Sequence, residues 1–250
     1  MRHRRLALTG PAAAALYQLD GFRDYKWPHS WCVPWGNNTY PGDRTVQARR
    51  WEVPQMIGDI PVCSVELVVR HLHAFPTDLV SLADGIAPID RVELAVEHIL
   101  RLGHTLCAAR GGSMSGDALL RSVLLRRGNN VPTESYAETR AVQRFREWDI
   151  QPWRQIPIME KGRIEFRADF MIPFRQRRRP DIIRPCDGLL IEIDSREFHE
   201  HQFERDHERG STYDALGYHW ISVTPNQIEH QPTKVRKALD GASRRAHPPT

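Results

Sequence analysis

The chain has 250 residues, of which 40% are hydrophobic and 26% charged. That composition excludes a disordered polypeptide and leaves room for one large domain or two small ones. The 35 basic residues stand against 31 acidic ones, a net charge of +4 that leans mildly toward a polyanionic partner.

In chain order, Met1-Arg-His-Arg-Arg5 is basic, but the following Leu6 to Leu19 is short and broken by Gly10-Pro11. It makes neither a secretory core nor a membrane span, and no membrane association is expected. Thr9 to Leu19 reads as a helix, with Thr9 as N-cap and Pro11 in the first turn. Residues 20 to 62 are rich in Trp, Pro, Gly and Asn and predict a small mixed sheet. Its strands include Trp31-Cys-Val33 and Arg50-Trp-Glu-Val53, with Trp27, Trp31, Trp35 and Trp51 as core. Pro61 to Leu72 predicts a strand end and then a helix capped by Ser64. Arg91 to Leu102 repeats Val92, Ala95, Val96, Ile99 and Leu100 at helical spacing. Gly111 to Gly116 reads as linker, followed by a short helix over Leu119 to Arg127 that Gly128-Asn-Asn130 ends. The expected organisation is an α+β domain over 1–115, a connecting stretch with that helix over 116–131, and a second domain over 132–250. The cysteines Cys32, Cys63, Cys107 and Cys186 form no C-x-x-C pair, which excludes a zinc ribbon and a thioredoxin motif. They fit a reducing cytoplasm.

The second half is more regular. Ser135 to Trp148 predicts a helix, with Ser135 and Glu138 in capping-box spacing. Gln155 to Ile158 is a short strand. In Arg163 to Ile172, strict alternation puts Ile164, Phe166, Ala168 and Phe170 on one side and Glu165, Arg167 and Asp169 on the other. An arginine-rich loop follows, carrying Arg175, Arg177, Arg178 and Arg179. Leu189 to Asp194 is a strand, Glu200 to Leu216 an amphipathic helix closed by Gly217, Tyr218 to Thr224 a strand, and Gln227 to Leu239 a last helix. The order α-β-β-β-α-β-α predicts an α/β core with a mixed sheet.

The chemistry concentrates in Gly188 to His199. Period-2 geometry places Leu189, Ile191 and Ile193 on one face, with Leu190, Glu192 and Asp194 on the other. Two carboxylates on an otherwise apolar strand are costly to bury without a cation. Oxygen ligands suit Mg²⁺ or Mn²⁺. A salt-bridged exposed strand face is the alternative.

The string Arg167-Ala-Asp169-Phe170, then Glu192-Ile-Asp194-Ser195, His199, Asp206 with Arg209, and Gly217-Tyr218 resembles the PD-(D/E)XK nuclease superfamily. Within it, the order is similar to the branch of very-short-patch-repair endonucleases. The resemblance covers roughly residues 132 to 230 and implies a restriction-endonuclease-like core. The first half, through Leu8-Thr-Gly-Pro-Ala-Ala-Ala-Ala-Leu16 and Ile60-Pro-Val-Cys-Ser64, more weakly resembles AbiEi-type antitoxin proteins. Those commonly begin with a winged helix-turn-helix, which is not expected here. That likeness implies a toxin partner or a homodimer. The superfamily's lysine, two residues after the glutamate, is Asp194 here, and the glycine that follows is Ser195.

The resemblance implies metal-dependent DNA endonuclease chemistry. Asp169, Glu192 and the Ile193 main-chain carbonyl would hold the ion, and Glu138 would orient a metal-bound water. Asp194 would take a second ion or hold His199, whose neutral imidazole would serve as general base or acid. Asp181, in Pro180-Asp181, competes with Asp169 for the first acid; the clean alternation around Asp169 favours the latter. Each residue also has a plainer role. The capping box explains Glu138, a neighbouring arginine explains Asp169, an exposed loop explains His199, and an i,i+3 pair explains Asp206 with Arg209. The arginines at 175–179 would grip phosphate or simply be solvated. The competing function is a catalytically silent nuclease-fold protein with a DNA-binding, antitoxin-type regulatory role.

Overall fold

A computed structural model describes residues 6–24, 26–35, 45–48, 52–80, 84–106, 117–175, 178–194 and 203–246. The chain divides into two compact units, Met1–Pro132 and Thr133–Thr250. Each is α/β and built on its own mixed sheet; the described residues form nine α-helices in all. No described helix is long and apolar enough to cross a membrane.

In the first unit the strands are β1 (Ala7–Thr9), β2 (Ser30–Pro34), β3 (Thr45–Ala48), β4 (Gln55–Ile57) and β5 (Ile60–Val62). They lie in the order β3-β2-β1-β5-β4, so the short, fully buried β1 is the central strand. The helices are α1 (Gly10–Leu16), α2 (Val65–His71), α3 (Pro76–Val80), α4 (Pro88–Arg101) and α5 (Asp117–Arg127). Gly10 begins α1 with φ 64°, and a Cβ there would stand 2.5 Å from the Phe75 ring, so both backbone and packing require glycine. Val92, Ala95, Val96 and Ile99 of α4 all enter the core, as their spacing predicts.

Four expectations for this half change. Thr9 and Ser64 occupy the N-cap positions of α1 and α2, but neither side chain caps its helix. The Thr9 hydroxyl lies 2.8 Å from His71 Nδ1, and Ser64 donates to Glu52 Oε2 at 2.8 Å. Trp27 and Trp31 pack against the core, whereas Trp35 is 62% exposed; Trp51 lies outside the described residues. Of the strand expected over Arg50 to Val53, Arg50 and Trp51 lie outside the described residues, and Glu52 and Val53 are irregular. Helix α5 is no linker: Leu120 and Val123 are buried in the first unit's core.

Asp20 ties the end of α4 to the loop after α1. Its carboxylate meets Arg23 at 2.8 Å, His98 at 3.1 Å and Arg101 at 2.5 Å. Burial alone would raise the Asp20 pKa, but the hydrogen bonds and charges of His98 and Arg101 outweigh it and hold the carboxyl below its ordinary range.

The second unit begins with α6 (Tyr136–Glu147), followed by β6 (Trp153–Glu160), β7 (Arg163–Pro173) and β8 (Gly188–Ile193). Then come α7 (Phe203–Ala215), β9 (Trp220–Val223), α8 (Pro225–His230) and α9 (Pro232–Ala246). The last predicted helix is therefore two, broken at Gln231-Pro232, where proline cannot continue the ladder. The sheet order is β6-β7-β8-β9, antiparallel except for the parallel β8/β9 pair. Ala141, Val142 and Phe145 of α6, with Ile228, Val235 and Leu239 of α8 and α9, pack with Phe170, Leu189 and Ile191. Tyr213 of α7 packs in a separate cluster with Ile156, Ile158, Ala168 and Leu190.

Gly188 begins β8 opposite Pro173. A Cβ there would stand 2.4 Å from the Ile172 carbonyl oxygen and 2.6 Å from Met171 Cγ. Gly188→Ala is expected to cost about 1–3 kcal/mol by forcing β7 and β8 apart, read as a lower urea midpoint. For Asp20, a depressed folded-state pKa means that its contribution is present at neutral pH and lost as pH falls through the carboxylate range. Asp20→Asn is expected to destabilise by about 3 kcal/mol at pH 7. The gap from wild type should shrink in acid, as followed by urea unfolding across pH.

Candidate functional site

Polar residues from all four strands of the second sheet stand on one rung. Pairing of Arg154 with Phe170 and of Ile156 with Ala168 sets Gln155 abreast of Asp169. Pairing of Phe170 with Ile191 sets Asp169 abreast of Glu192, and Glu192 pairs with Ser222.

The ladder opens at this rung. The β7/β8 register ends at Phe170–Ile191. The Ile193 N–H is taken by the Asp169 carboxylate, at 2.7 Å, in place of a main-chain carbonyl. The alternation of β7 changes here too. Phe170 packs edge-on against Phe145, with ring centroids 5.6 Å apart, whereas Ala168 and Phe166 join the Tyr213 cluster. The expectation of one continuous apolar face through Phe166, Ala168 and Phe170 is corrected: the ladder irregularity shifts the phase of the strand. Beside it, Gln155 has φ 51°, a left-handed conformation costing about 1–3 kcal/mol for a residue other than glycine. Two contacts hold it. Its Nε2 donates to Glu138 Oε2 at 3.0 Å, and Arg179 donates to the carbonyls of Arg154 and Gln155 at 2.7 and 3.2 Å.

Glu138 reaches the site from the first turn of α6. Ser135 accepts from the Glu138 N–H at 3.1 Å, as a cap should. The Glu138 carboxyl accepts from the Glu134 N–H at 2.9 Å and from the Ser135 hydroxyl at 2.9 Å, besides Gln155. Capping and site membership are thus combined in one buried side chain. Glu192 accepts from the Tyr213 hydroxyl through Oε1, and Arg209 Nη1 lies 3.5 Å from its Oε2. The Arg209 guanidinium also covers the Phe166 ring, 5.4 Å from its centroid.

Burial and mutual repulsion shape the electrostatics. Burial first, and then the Glu192 charge, push Asp169 up to about 8. Burial and the Asp169 charge push Glu138 up to about 7. Burial also raises Glu192, opposed by its hydrogen bond from Tyr213 and by the Arg209 charge. Among the described residues, the guanidinium paired with these acids is that of Arg209, 40% exposed, and so screened an ion pair contributes about 1 kcal/mol or less. The pocket keeps an excess of negative charge that protons or a cation must offset.

The donors are oxygens, which fits Mg²⁺ or Mn²⁺. Mg²⁺ commonly takes one or two carboxylates and keeps several waters, so Asp169 and Glu192 suffice as its protein acids. Glu138 stands behind Gln155, and the three acids do not form a trio of donor atoms within 4.8 Å of one another. In a strand the N–H and C=O of one residue point to the same side. The Ile193 carbonyl therefore shares the side on which Asp169 lies.

The other expected residues fall elsewhere. Asp194 is half-buried and accepts from the Ser222 hydroxyl at 3.4 Å. Asp181 is exposed in the loop before the short 3-10 turn Pro185–Asp187. Arg175 and Arg178 are exposed, whereas Arg179 is engaged with the β6 backbone. His199 and Arg177 lie outside the described residues, as does the Asp206 side chain of the expected pair with Arg209. Sequence reasoning missed Gln155 and Tyr213. A polar residue opening the apolar run Gln155-Ile-Pro-Ile158 was the available signal for the first; Tyr213 had none beyond its place on an amphipathic helix.

Asp169 and Glu138 bind protons more tightly when folded than when unfolded. Their contribution is present in acid and is lost as pH rises through neutrality toward about 8. Asp169→Asn, which can still accept from Ile193, is expected to flatten the fall of unfolding free energy between about pH 5 and 8. Urea denaturation at stepped pH measures this, and an unchanged profile would remove Asp169 as the titrating group.

No protein-family model, curated protein or solved structure matches the chain.

Proposed function

We propose that the C-terminal unit is a metal-dependent DNA endonuclease of the PD-(D/E)XK type, with a restriction-endonuclease-like core. The observation that carries this reading is the meeting of Asp169 and Glu192, from adjacent strands, in a buried pocket with excess negative charge. Asp169 lies in Arg167-Ala-Asp-Phe170 and Glu192 in Glu192-Ile-Asp194, the motifs on which the resemblance rests.

Asp169 and Glu192 hold Mg²⁺ or Mn²⁺, with the Ile193 carbonyl beside them. When bound, the ion lowers the pKa of a coordinated water and offsets charge on the phosphate. Glu138, fixed by Gln155 and Ser135, positions a water at the inner edge of the pocket. Tyr213 and Arg209 orient Glu192. Arg175 and Arg178 are exposed cations available to the DNA backbone, and Arg179 braces the strained turn of β6. Asp194 and His199 remain the proton-transfer candidates, since no lysine stands two residues after Glu192.

A second reading has its own support. Both Glu192 oxygens already have partners in Tyr213 and Arg209, and Asp194 replaces the customary lysine. These features suit a catalytically silent module that binds DNA in an antitoxin-type regulatory role.

Supercoiled plasmid incubated with Mg²⁺ or Mn²⁺ separates the two. The expected result is nicking that falls about 10²–10³-fold in Glu192→Gln and in Asp169→Asn, and persists in Asp181→Ala. Uncut plasmid that is nonetheless retarded in a gel, with retardation weakened by Arg175→Ala/Arg178→Ala, selects the silent reading. Cutting that survives both acid substitutions overturns the site.

A further inference from the structure

The first unit carries a separate convergence of ligand-type side chains. Cys32 of β2, Cys63 just beyond β5 and His71 of α2 are all buried, at 0, 4 and 7% exposure. One donor atom from each lies within 4.8 Å of the others. We propose that these three residues form a zinc-class metal site, independent of the carboxylate pocket of the second unit.

Sheet geometry makes the thiols converge. Cys32 pairs with Ala7 of β1, and Val62 lies abreast of Leu8, which places Cys63 abreast of Thr9. Residues 7 and 9 share a face of β1, so Ala7, Thr9, Cys32 and Cys63 all project to one side. Alanine at position 7 leaves room for the two thiols to approach above the central strand. Thr9 holds His71 Nδ1 at 2.8 Å, the kind of outer contact that fixes a ligating ring. Ser30, on the same rung as Thr9, is fully buried, and its hydroxyl has no hydrogen-bond partner. The face thus holds more polar capacity than its present contacts use, which an inert packing role for the cysteines does not explain.

A disulfide does not fit. Strands β2 and β5 flank β1, and neighbouring strands are about 4.8 Å apart, so their backbones are separated by roughly 9.5 Å. The Cys63 N–H remains bonded to the Leu8 carbonyl at 3.0 Å, which keeps Cys63 on its own flank of β1. A disulfide needs Cα atoms within about 7 Å. A cation spans the gap instead. Tetrahedral zinc, with Zn–S near 2.3 Å, sets its sulfur ligands roughly 3.8 Å apart, a spacing compatible with donor atoms that lie within 4.8 Å of one another. Two thiolates and an imidazole select zinc over the hard cations suited to the other unit. The route in is a small cleft lined by Cys32, Cys63, Glu52, Ser64 and Leu67, of which Glu52 is exposed. Water from this cleft completes the coordination.

The test uses reduced, EDTA-treated full-length protein dialysed against Zn²⁺ or Co²⁺. The expected result is one equivalent of metal per chain and, with Co²⁺, a near-ultraviolet thiolate-to-cobalt charge-transfer band. Cys107→Ser/Cys186→Ser and Glu192→Gln should keep the band, and Cys63→Ala should lose it. Zn²⁺ should also shield Cys32 and Cys63 of wild type from alkylation, read by peptide mass. A wild type without the band overturns the proposal, as does its loss in the Cys107/Cys186 variant or its persistence in Cys63→Ala. If Cys63→Ala fails to fold, wild-type shielding decides, and alkylation of Cys32 and Cys63 unchanged by Zn²⁺ overturns the proposal. Retention of zinc alongside inactivity on plasmid separates this site from the nuclease reading.

Discussion

Where β7 and β8 part, a side-chain oxygen of Asp169 stands in for a main-chain acceptor. A strand's N–H groups must find partners, and here the Ile193 N–H finds a carboxylate. That substitution ends the regular pairing and changes the face presented by β7. Next to it lies Gln155 in a left-handed conformation that only surrounding contacts can hold. Glu138 and Arg179 supply those contacts from outside the sheet, one to the Gln155 side chain and the other to its backbone. The first turn of α6, the arginine-rich loop and the middle of the sheet are therefore linked through one polar rung.

Such an arrangement works against stability. Apolar residues of similar volume at Asp169, Glu192 and Glu138 would pack without desolvating three carboxyl groups. Local departures from the rules that stabilise a fold are expected where a site has other work. The raised proton affinity of Asp169 and Glu138 is the signature of that conflict: in the absence of a cation, burial and repulsion keep protons where charge would otherwise stand. Arg209 offsets only part of this, because it remains substantially open to solvent.

The two units pose opposite chemical problems. The second gathers hard oxygen donors along a rung of its sheet. The first gathers two sulfurs and an imidazole over its central strand, with Thr9 and Ser30 on the same face. Both rely on the same geometric device, a central strand whose neighbours bring distant residues to one face. Ligand type, not fold class, separates the ions each would accept.

Period and punctuation made most elements readable in advance. Helices α4 and α6 follow from apolar spacing, β7 and β8 from their runs, and the acids Asp169 and Glu192 from being polar within those runs. These features are local: backbone dihedrals and side-chain direction repeat over a few residues, and sequence records that repeat directly. Long-range pairing is recorded only weakly. It alone decided that Gln155 stands beside Asp169, that Phe170 and Ala168 part company, and that Thr9 and Ser64 spend their hydroxyls on tertiary partners. It alone brought Cys32, Cys63 and His71 together, because their meeting depends on which strands flank β1. The sequence by itself determined which segments are helix or strand and which carry acids. The tertiary structure decided which side chains meet, since strand register and helix docking are set by cores assembled from residues far apart in the chain.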